Sequence, residues 1–197
     1  MPLLHGALTT LRPIGKDDLK LLHKWLNDPD VMQYWDGRDH PATFDRVETR
    51  FRKSVEGVDR DAVRFMLDIE KDGAPQTIGM VQHGRVVPRA RNTEVDMLIG
   101  EAHYRDAGYG TDAMRTFLGY LFEQQGCQRE WCTLRAPNAR AARGVEKCGF
   151  VREGVLRQHD FLEGALVDVV VYGILASEWP AVKADVKADV KADVKST

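Results

Sequence analysis

The stretch YRDAGYGTDAMRTFLGYLF, residues 104–122, limits the fold more than any other part of the chain: Gly108 and Gly110 stand two apart at the mouth of a long, apolar-periodic helix. Glycine weakens a helix interior by about 1 kcal/mol relative to alanine, so a pair at a helix start needs a reason. Immediately before it, NTEVDMLIG (residues 92–100) reads as a strand. Strand, R-x-x-G-x-G and helix in that order suit a pyrophosphate: a backbone without Cβ atoms can approach phosphate oxygens, and the unpaired N–H groups of the first helical turn point at them. On spacing alone a purely structural role for the two glycines fits equally well.

Two familiar phosphate cradles are excluded. No G-x-x-x-x-G-K-[ST] is present, and a dinucleotide fingerprint needs a third glycine and a βαβ unit. The 197 residues, 43% of them hydrophobic, suit one domain with a real core. A formal charge of −2 with interspersed signs offers no basic stripe for nucleic acid and favours a cationic partner. No apolar run approaches the roughly 18 residues of a membrane span, and MPLLHGALTTLRPIG has neither a charged n-region nor a long h-region, so a cytoplasmic protein without membrane contact is expected. Cys127, Cys132 and Cys148 are odd in number and lack C-x-x-C spacing, which predicts reduced structural thiols. The six histidines have no metal-ligand spacing, so no metal is expected.

Along the chain, ALTTLRPI reads as a strand, and GKDDLKLLHKWLND as a helix with Asp17 as N-cap and Leu19, Leu22, Trp25 and Leu26 on its apolar face. PDVMQYWDGRDHP is turn-rich. TFDRVETRFRKSVEG puts Phe44, Val47 and Phe51 on one helical face and stops at Gly57. AVRFMLDIEKDGAPQTIGMVQHGRVVP reads as two strands around an Asp72-Gly73 turn. After the glycine-led helix come a strand (QREWCTLRA), a short helix closed near Gly149, a strand with a loop (FVREGVLRQHDFLEGALVD) and a β-branched final strand. That order predicts an α+β or three-layer α/β domain with a mixed, mostly antiparallel sheet over residues 1–179. Residues 180–197 form a low-complexity tail in which Val182, Val186, Val190 and Val194 recur four apart; helix stripe and strand alternation fit it alike, and it reads either as a solvated appendage or as an ordered contact.

YRDAGYGTDAM resembles the acetyl-CoA loop of the GCN5-related N-acetyltransferases (GNAT), and PNARAARGVEKCGFVREG resembles their later N-x-x-A segment ending in G-F. The resemblance runs from about Leu8 to Trp179, and KWLNDPDVMQYWDG with VDMLIGEAHYRDAGYGT looks closest to the aminoglycoside 6'-N-acetyltransferases, ribosomal-protein N-terminal acetyltransferases being near relatives. It implies a twisted sheet with helices on both faces and splayed central strands holding acetyl-CoA. It further implies that Arg105, Ala107, Gly108, Tyr109, Gly110 and Thr111 wrap the pyrophosphate. Met97, Leu98 and Ile99 then offer backbone hydrogen bonds to the pantetheine arm and thioester, with Asn138 and Arg143 beside the cofactor. Asp96 matches a catalytic carboxylate of the 6'-type enzymes, Glu94 an acidic position of the N-terminal acetyltransferases, and Glu163 another substrate carboxylate. Val145 departs from the family, which commonly has a tyrosine there as acid for the departing thiolate; Tyr109 and Tyr172 are candidate substitutes.

The chemistry asks for these residue types independently. An amine attacks a thioester only when neutral, so an ammonium acceptor needs a base such as Asp96 or Glu94. A backbone N–H at a strand end can hold the oxyanion. Asp36, Asp160, Glu163 and Asp168, with Tyr34 and Trp35, occupy the segments expected to line the acceptor cleft and suit a cationic amino sugar. The expected function is acetyl-CoA-dependent acetylation of the 6' or 2' amine of a kanamycin-like or kasugamycin-like aminoglycoside, by a monomer or homodimer. A protein N-terminal acetyltransferase and a non-catalytic acetyl-CoA-binding module are the alternatives.

Overall fold

In the computed structural model, which describes residues 1–35, 37–87 and 89–184 and only the backbone at 85 and 86, Asp72 and Gly73 form the expected two-residue turn. Both have left-handed φ, 53° and 78°, as a type I′ turn demands. From it β3 (Val63–Lys71) and β4 (Ala74–Val87) pair antiparallel with Lys71 opposite Ala74. On the other side of β3 lies β2 (Thr10–Pro13), itself paired with β1 (Leu4–His5), a two-residue strand that the sequence pattern did not signal. Next to β4 runs β5 (Asn92–Ile99). These strands belong to the first of two units into which the chain divides, Met1–Val86 with Thr93–Leu118; the second is Val87–Asn92 with the chain from Gly119.

Residues 65–69 of β3 are buried in succession, so both faces of this sheet are covered. On one face, α1 (Asp18–Trp25), α2 (Pro29–Met32) and α3 (Phe44–Val55) pack Leu19, Leu22, Trp25, Val31, Val47 and Phe51 against Met66, Met80 and Leu98. On the other lies the first part of α4 (Tyr109–Glu123), whose Phe117 meets Phe65 edge-on at 6.0 Å. Arg12 enters this unit as the centre of an ionic cluster. It donates to both oxygens of Asp18 and to Asp68, each at 2.7 Å, and the Asp18 hydrogen bonds raise its pKa further above the ordinary value.

Three expectations change in this unit. The PDVM turn is a helix, because Asp28 accepts from the N–H of Asp30 at 2.9 Å and Pro29 occupies the first helical position. Asp17 stands at the N-cap of α1 but makes no capping bond; its backbone is already helical, and Asp18 accepts from the Gly15 N–H at 2.7 Å instead. Phe44 is 40% exposed, since it is the first residue of α3 and meets the His23 ring edge-on rather than the core.

In the second unit β6 (Arg129–Arg135), β8 (Ala165–Leu175) and β7 (Val151–Leu162) pair antiparallel in the order β6-β8-β7, with α5 (Ala139–Lys147) between β6 and β7 in sequence. The expected loop before the last strand is instead a hairpin turning on Glu163 and Gly164, φ 51° and 85°. The three cysteines are buried and unbridged. Residues 179–184 are helical; the Trp179 indole N–H donates to Glu123 at 2.8 Å, Lys183 pairs with Glu123 at 2.6 Å, and Val182 lies against Gly149. The start of the VKAD repeat is therefore packed, while residues 185–197 lie outside the described ones.

Two consequences concern stability. Trp25 is wholly buried against Gly100, where an added Cβ would overlap the indole. Gly100→Ala is expected to cost about 1–3 kcal/mol in denaturant unfolding through overpacking; an unchanged midpoint would refute this contact. His83 is 8% exposed, stacks with Phe117 at 6.3 Å, and finds no partner for Nδ1 among the described residues. Burial, then the charge of Arg64, pushes its pKa down to about 4. Because the unfolded imidazole binds a proton near pH 6.5 and the folded one does not, stability is complete above pH 6.5 and falls as pH drops towards 4, by roughly 3 kcal/mol for this group. His83→Leu should flatten that part of the wild-type stability profile, read from urea midpoints at successive pH values.

Candidate functional site

Alternation along β5 sorts its side chains. Leu98 and Gly100 face α1–α3, the first in the helical core and the second under Trp25. Asp96 and Glu94, two and four residues before Leu98, share that face and are half-buried. Met97 and Ile99 turn the other way and lie against Gly110 at the start of α4. One strand therefore carries its carboxylates on the helical side and supports the glycine loop with its opposite side.

The loop itself is built from a 3-10 turn, Ala102–Tyr104, and the R-x-x-G-x-G residues. The Arg105 Nε donates to the Ile99 carbonyl at 3.3 Å, tying the loop to the strand end. Gly108 has φ 88°, a left-handed conformation that a side chain would strain. Gly110 serves a different need: a Cβ there would sit 3.1 Å from the Met97 methyl, so glycine lets helix and strand approach. Ala107 is exposed, while Tyr109 and Thr111 are half-buried in the first turn of α4. Tyr109 packs edge-on against Tyr104, whose hydroxyl donates to Gln76 at 2.7 Å. A left-handed glycine, a Cβ-free helix start and an arginine beside them fit a phosphate-bearing cofactor.

Around Asp96 the structure adds residues that sequence reasoning missed. Gln82 of β4 donates to Asp96 Oδ2 at 3.4 Å and accepts from Arg64 of β3 at 3.0 Å. Arg50 of α3 is exposed as a residue, yet its guanidinium lies sheltered over Phe51, and burial, then Arg64, lowers its pKa while Asp96 opposes the shift. Glu101, directly after the strand, accepts from Lys24 at 2.6 Å and from the Trp25 indole at 3.0 Å; the Lys24 bond holds its carboxyl below the usual range. Asp112 accepts from the N–H groups of Ala7 and Leu8 and from the Thr9 hydroxyl at 2.6 Å, fastening the β1–β2 turn onto the first turns of α4. An acidic residue early in a helix signals the macrodipole, but nothing in the sequence names a partner a hundred residues away. Tyr34 and Trp35 follow α2, half-buried, with Trp35 packed against the helical core. Asp36 lies outside the described residues.

The remaining candidates belong to the second unit. The Asn138 side chain caps α5 by accepting from the Ala141 N–H at 3.2 Å, and Arg143 is exposed on the same helix. Asp160 pairs with Arg135 at 2.6 Å. Asp168 accepts from the N–H of Gln158 at 2.8 Å, holding a strand irregularity where Gln158 has φ 51°. Both carboxylates thus have internal work in the hairpin, and Glu163 sits exposed in its turn. Tyr172 is buried, its hydroxyl donates to Glu146 at 3.2 Å, and burial raises its pKa, so it stays protonated at neutral pH. Among the described residues no cluster of three or more His, Cys, Asp or Glu could hold a metal, and no helix is long and apolar enough to cross a membrane.

A family model for the acetyltransferase (GNAT) domain matches residues 9–151, a span containing both the carboxylate strand and the glycine loop. The chain belongs to the GNAT acetyltransferase family. Among curated relatives, the spermidine N(1)-acetyltransferase of Vibrio cholerae is 27% identical over 86% of this chain and 94% of its own length. The aminoglycoside N(6')-acetyltransferase type 1 of Klebsiella pneumoniae is 28% identical over 77% of this chain and 78% of its own. The crystal structure of the Vibrio cholerae spermidine N-acetyltransferase in complex with CoA and spermine superposes with a TM-score of 0.78 at 25% identity, covering 88% of this chain and 98% of that one. The fold is thus a GNAT fold and the cofactor of the family is acetyl-CoA. The aminoglycoside likeness read from the sequence stands beside a likeness to polyamine enzymes that the motifs did not reveal.

Asp112 gives a prediction of its own. Asp112→Ala leaves two backbone N–H groups and the Thr9 hydroxyl without their acceptor, which should cost about 1–3 kcal/mol of stability. Asp112→Asn, which keeps one acceptor oxygen, should cost less in the same thermal melts.

Proposed function

We propose that this GNAT acetyltransferase transfers the acetyl group of acetyl-CoA to one amine of a small polycationic acceptor, an aminoglycoside at its 6' or 2' amine or a linear polyamine. The observation carrying this reading is the division of labour on β5, with carboxylates on one face and the glycine loop seated against the other. Support comes from relatives named for spermidine and for aminoglycosides, whose acceptors share closely spaced ammonium groups.

In this reading Arg105, Ala107, Gly108, Tyr109, Gly110 and Thr111 hold the pyrophosphate, the main chain of Met97–Ile99 aligns the pantetheine arm, and Asn138 and Arg143 flank the cofactor. Bound acetyl-CoA supplies an activated acyl group that an amine can attack without an enzyme nucleophile. Asp96 takes the proton from the acceptor ammonium, with Glu94 on the same face holding a neighbouring positive charge. The strand-end N–H groups receive developing negative charge on the carbonyl oxygen, and holding the two reactants together provides much of the remaining acceleration. Val145 has no proton to give, so the thiolate leaves as the anion or takes a proton from water, and the proton that the attacking nitrogen sheds on becoming an amide passes to water; the thiol's intrinsic acidity, near that of a cysteine, permits this. Tyr34, Trp35, Asp36, Asp160, Glu163 and Asp168 are the further acceptor-binding candidates, of which Asp160 and Asp168 also serve the hairpin.

The test is acetyl-CoA-dependent thiol release with kanamycin, kasugamycin, spermidine and N-terminal peptides, followed by mass detection of the product. Acetylation of one sugar or polyamine nitrogen supports the proposal. Activity confined to peptides would make the protein an N-terminal acetyltransferase, and acetyl-CoA binding without any turnover would make it a binding module. Asp96→Asn is expected to lower kcat by about 100-fold, the scale of general-base catalysis, with the acetyl-CoA Kd within about twofold of wild type; equal turnover would remove Asp96 from the chemistry.

A further inference from the structure

Beside the half-buried Asp96 lies a polar side chain that is itself almost wholly buried. Gln82 is 8% exposed, and a carboxamide so placed needs partners at both ends. Its Oε1 accepts from Arg64 Nε at 3.0 Å. A guanidinium can only donate, so this bond fixes which way the amide faces and turns Nε2 toward Asp96 Oδ2, 3.4 Å away. Arg64 is anchored in turn: its NH1 donates to Ser54 Oγ at 2.8 Å and to Asp59 Oδ2 at 2.7 Å, and Asp59 accepts from the N–H groups of Asp61 and Ala62. The result is a chain of oriented donors running from the loop after α3 through β3 and β4 to the carboxylate on β5.

We propose that Gln82 is a positioning residue for acetyl transfer, its carboxamide orienting Asp96 and favouring the ionised carboxylate that receives the acceptor's proton. The inference rests on Asp96 meeting the acceptor amine. A neutral amide suits this position better than an arginine. Direct pairing with Arg64 would make the carboxylate reluctant to accept a proton, whereas a neutral carboxamide donor between them orients Asp96 with less loss of basicity. Among the described residues, Arg50 of α3 also bears on Asp96, and Glu94 lies two residues before it on the same strand face. His83, next to Gln82 on β4, turns to the opposite face against Phe117.

The test follows the Asp96 carboxyl carbon by NMR during pH titration of the acetyl-CoA-bound protein, the signal being assigned by its absence in Asp96→Asn. Spermidine and kanamycin turnover against pH is measured alongside. Gln82→Leu removes the donor, and the titration midpoint should rise by about one pH unit; Gln82→Glu still accepts from Arg64 but sets an anion before Asp96, and the midpoint should rise further. The acid limb of kcat/KM should move with it, while the acetyl-CoA Kd stays near wild type. A midpoint unmoved in both variants overturns the proposal. Should the leucine variant fail to bind acetyl-CoA, the glutamate variant, which keeps the Arg64 contact, decides alone. If Asp96→Asn turns over like wild type, the assignment of Asp96 fails and Gln82's role in the reaction falls with it, whatever the titration gives. A moved midpoint with an unmoved acid limb leaves the carboxylate contact intact but overturns its part in catalysis.

Discussion

The contact between Trp25 and Gly100 is the constraint on which the first unit's site depends. The indole occupies the space where any other residue's Cβ would stand, and its N–H reaches Glu101, which also receives Lys24. The end of β5 is thereby held against α1, while the Gly100 N–H donates to the Ile78 carbonyl of β4. A strand end fixed on both a face and an edge sets where the following glycine loop begins. Rigid support of this kind is what a reaction without a covalent enzyme intermediate requires, since its acceleration comes from placement and preorganised dipoles.

The two glycines of the R-x-x-G-x-G stretch then have separate physical reasons. Gly108 supplies a left-handed turn into the helix, and Gly110 allows α4 to approach Met97 and Ile99. A structural reading and a cofactor reading of such a pair are not rivals here. The missing Cβ that lets the helix lie near its supporting strand is also what the proposed pyrophosphate site requires.

Electrostatics divide the acidic residues by employment. Asp18, Asp59, Asp68 and Asp112 are committed to arginines, hydroxyls and backbone N–H groups. Asp160 and Asp168 likewise have defined partners in the β7–β8 hairpin. Counting acidic residues in a sequence therefore overstates the charge available to a cationic acceptor.

Much of this protein was legible in its sequence because local rules governed it. The Asp72-Gly73 hairpin follows from left-handed turn chemistry, α1 from its apolar spacing, the burial of Phe51 and Val47 from helical periodicity, and the family from the pairing of a glycine loop with an N-x-x-A segment. What escaped was set by partners far apart in the chain. Asp112 meets residues 7–9, Arg12 meets Asp68, Gln82 links Arg64 to Asp96, and Trp25 rests on Gly100. Phe44 fits its helix's apolar stripe and yet is exposed, because a stripe gives direction but not the extent of the surface it meets. Periodicity and turn chemistry are properties of neighbours in sequence, so the sequence by itself determined most of the elements, the glycine loop at the mouth of α4 and the placing of Asp96 and Glu94 on one strand face. Which polar side chains close into networks, only the tertiary structure decided, because that depends on distances across the sheet that no local pattern encodes.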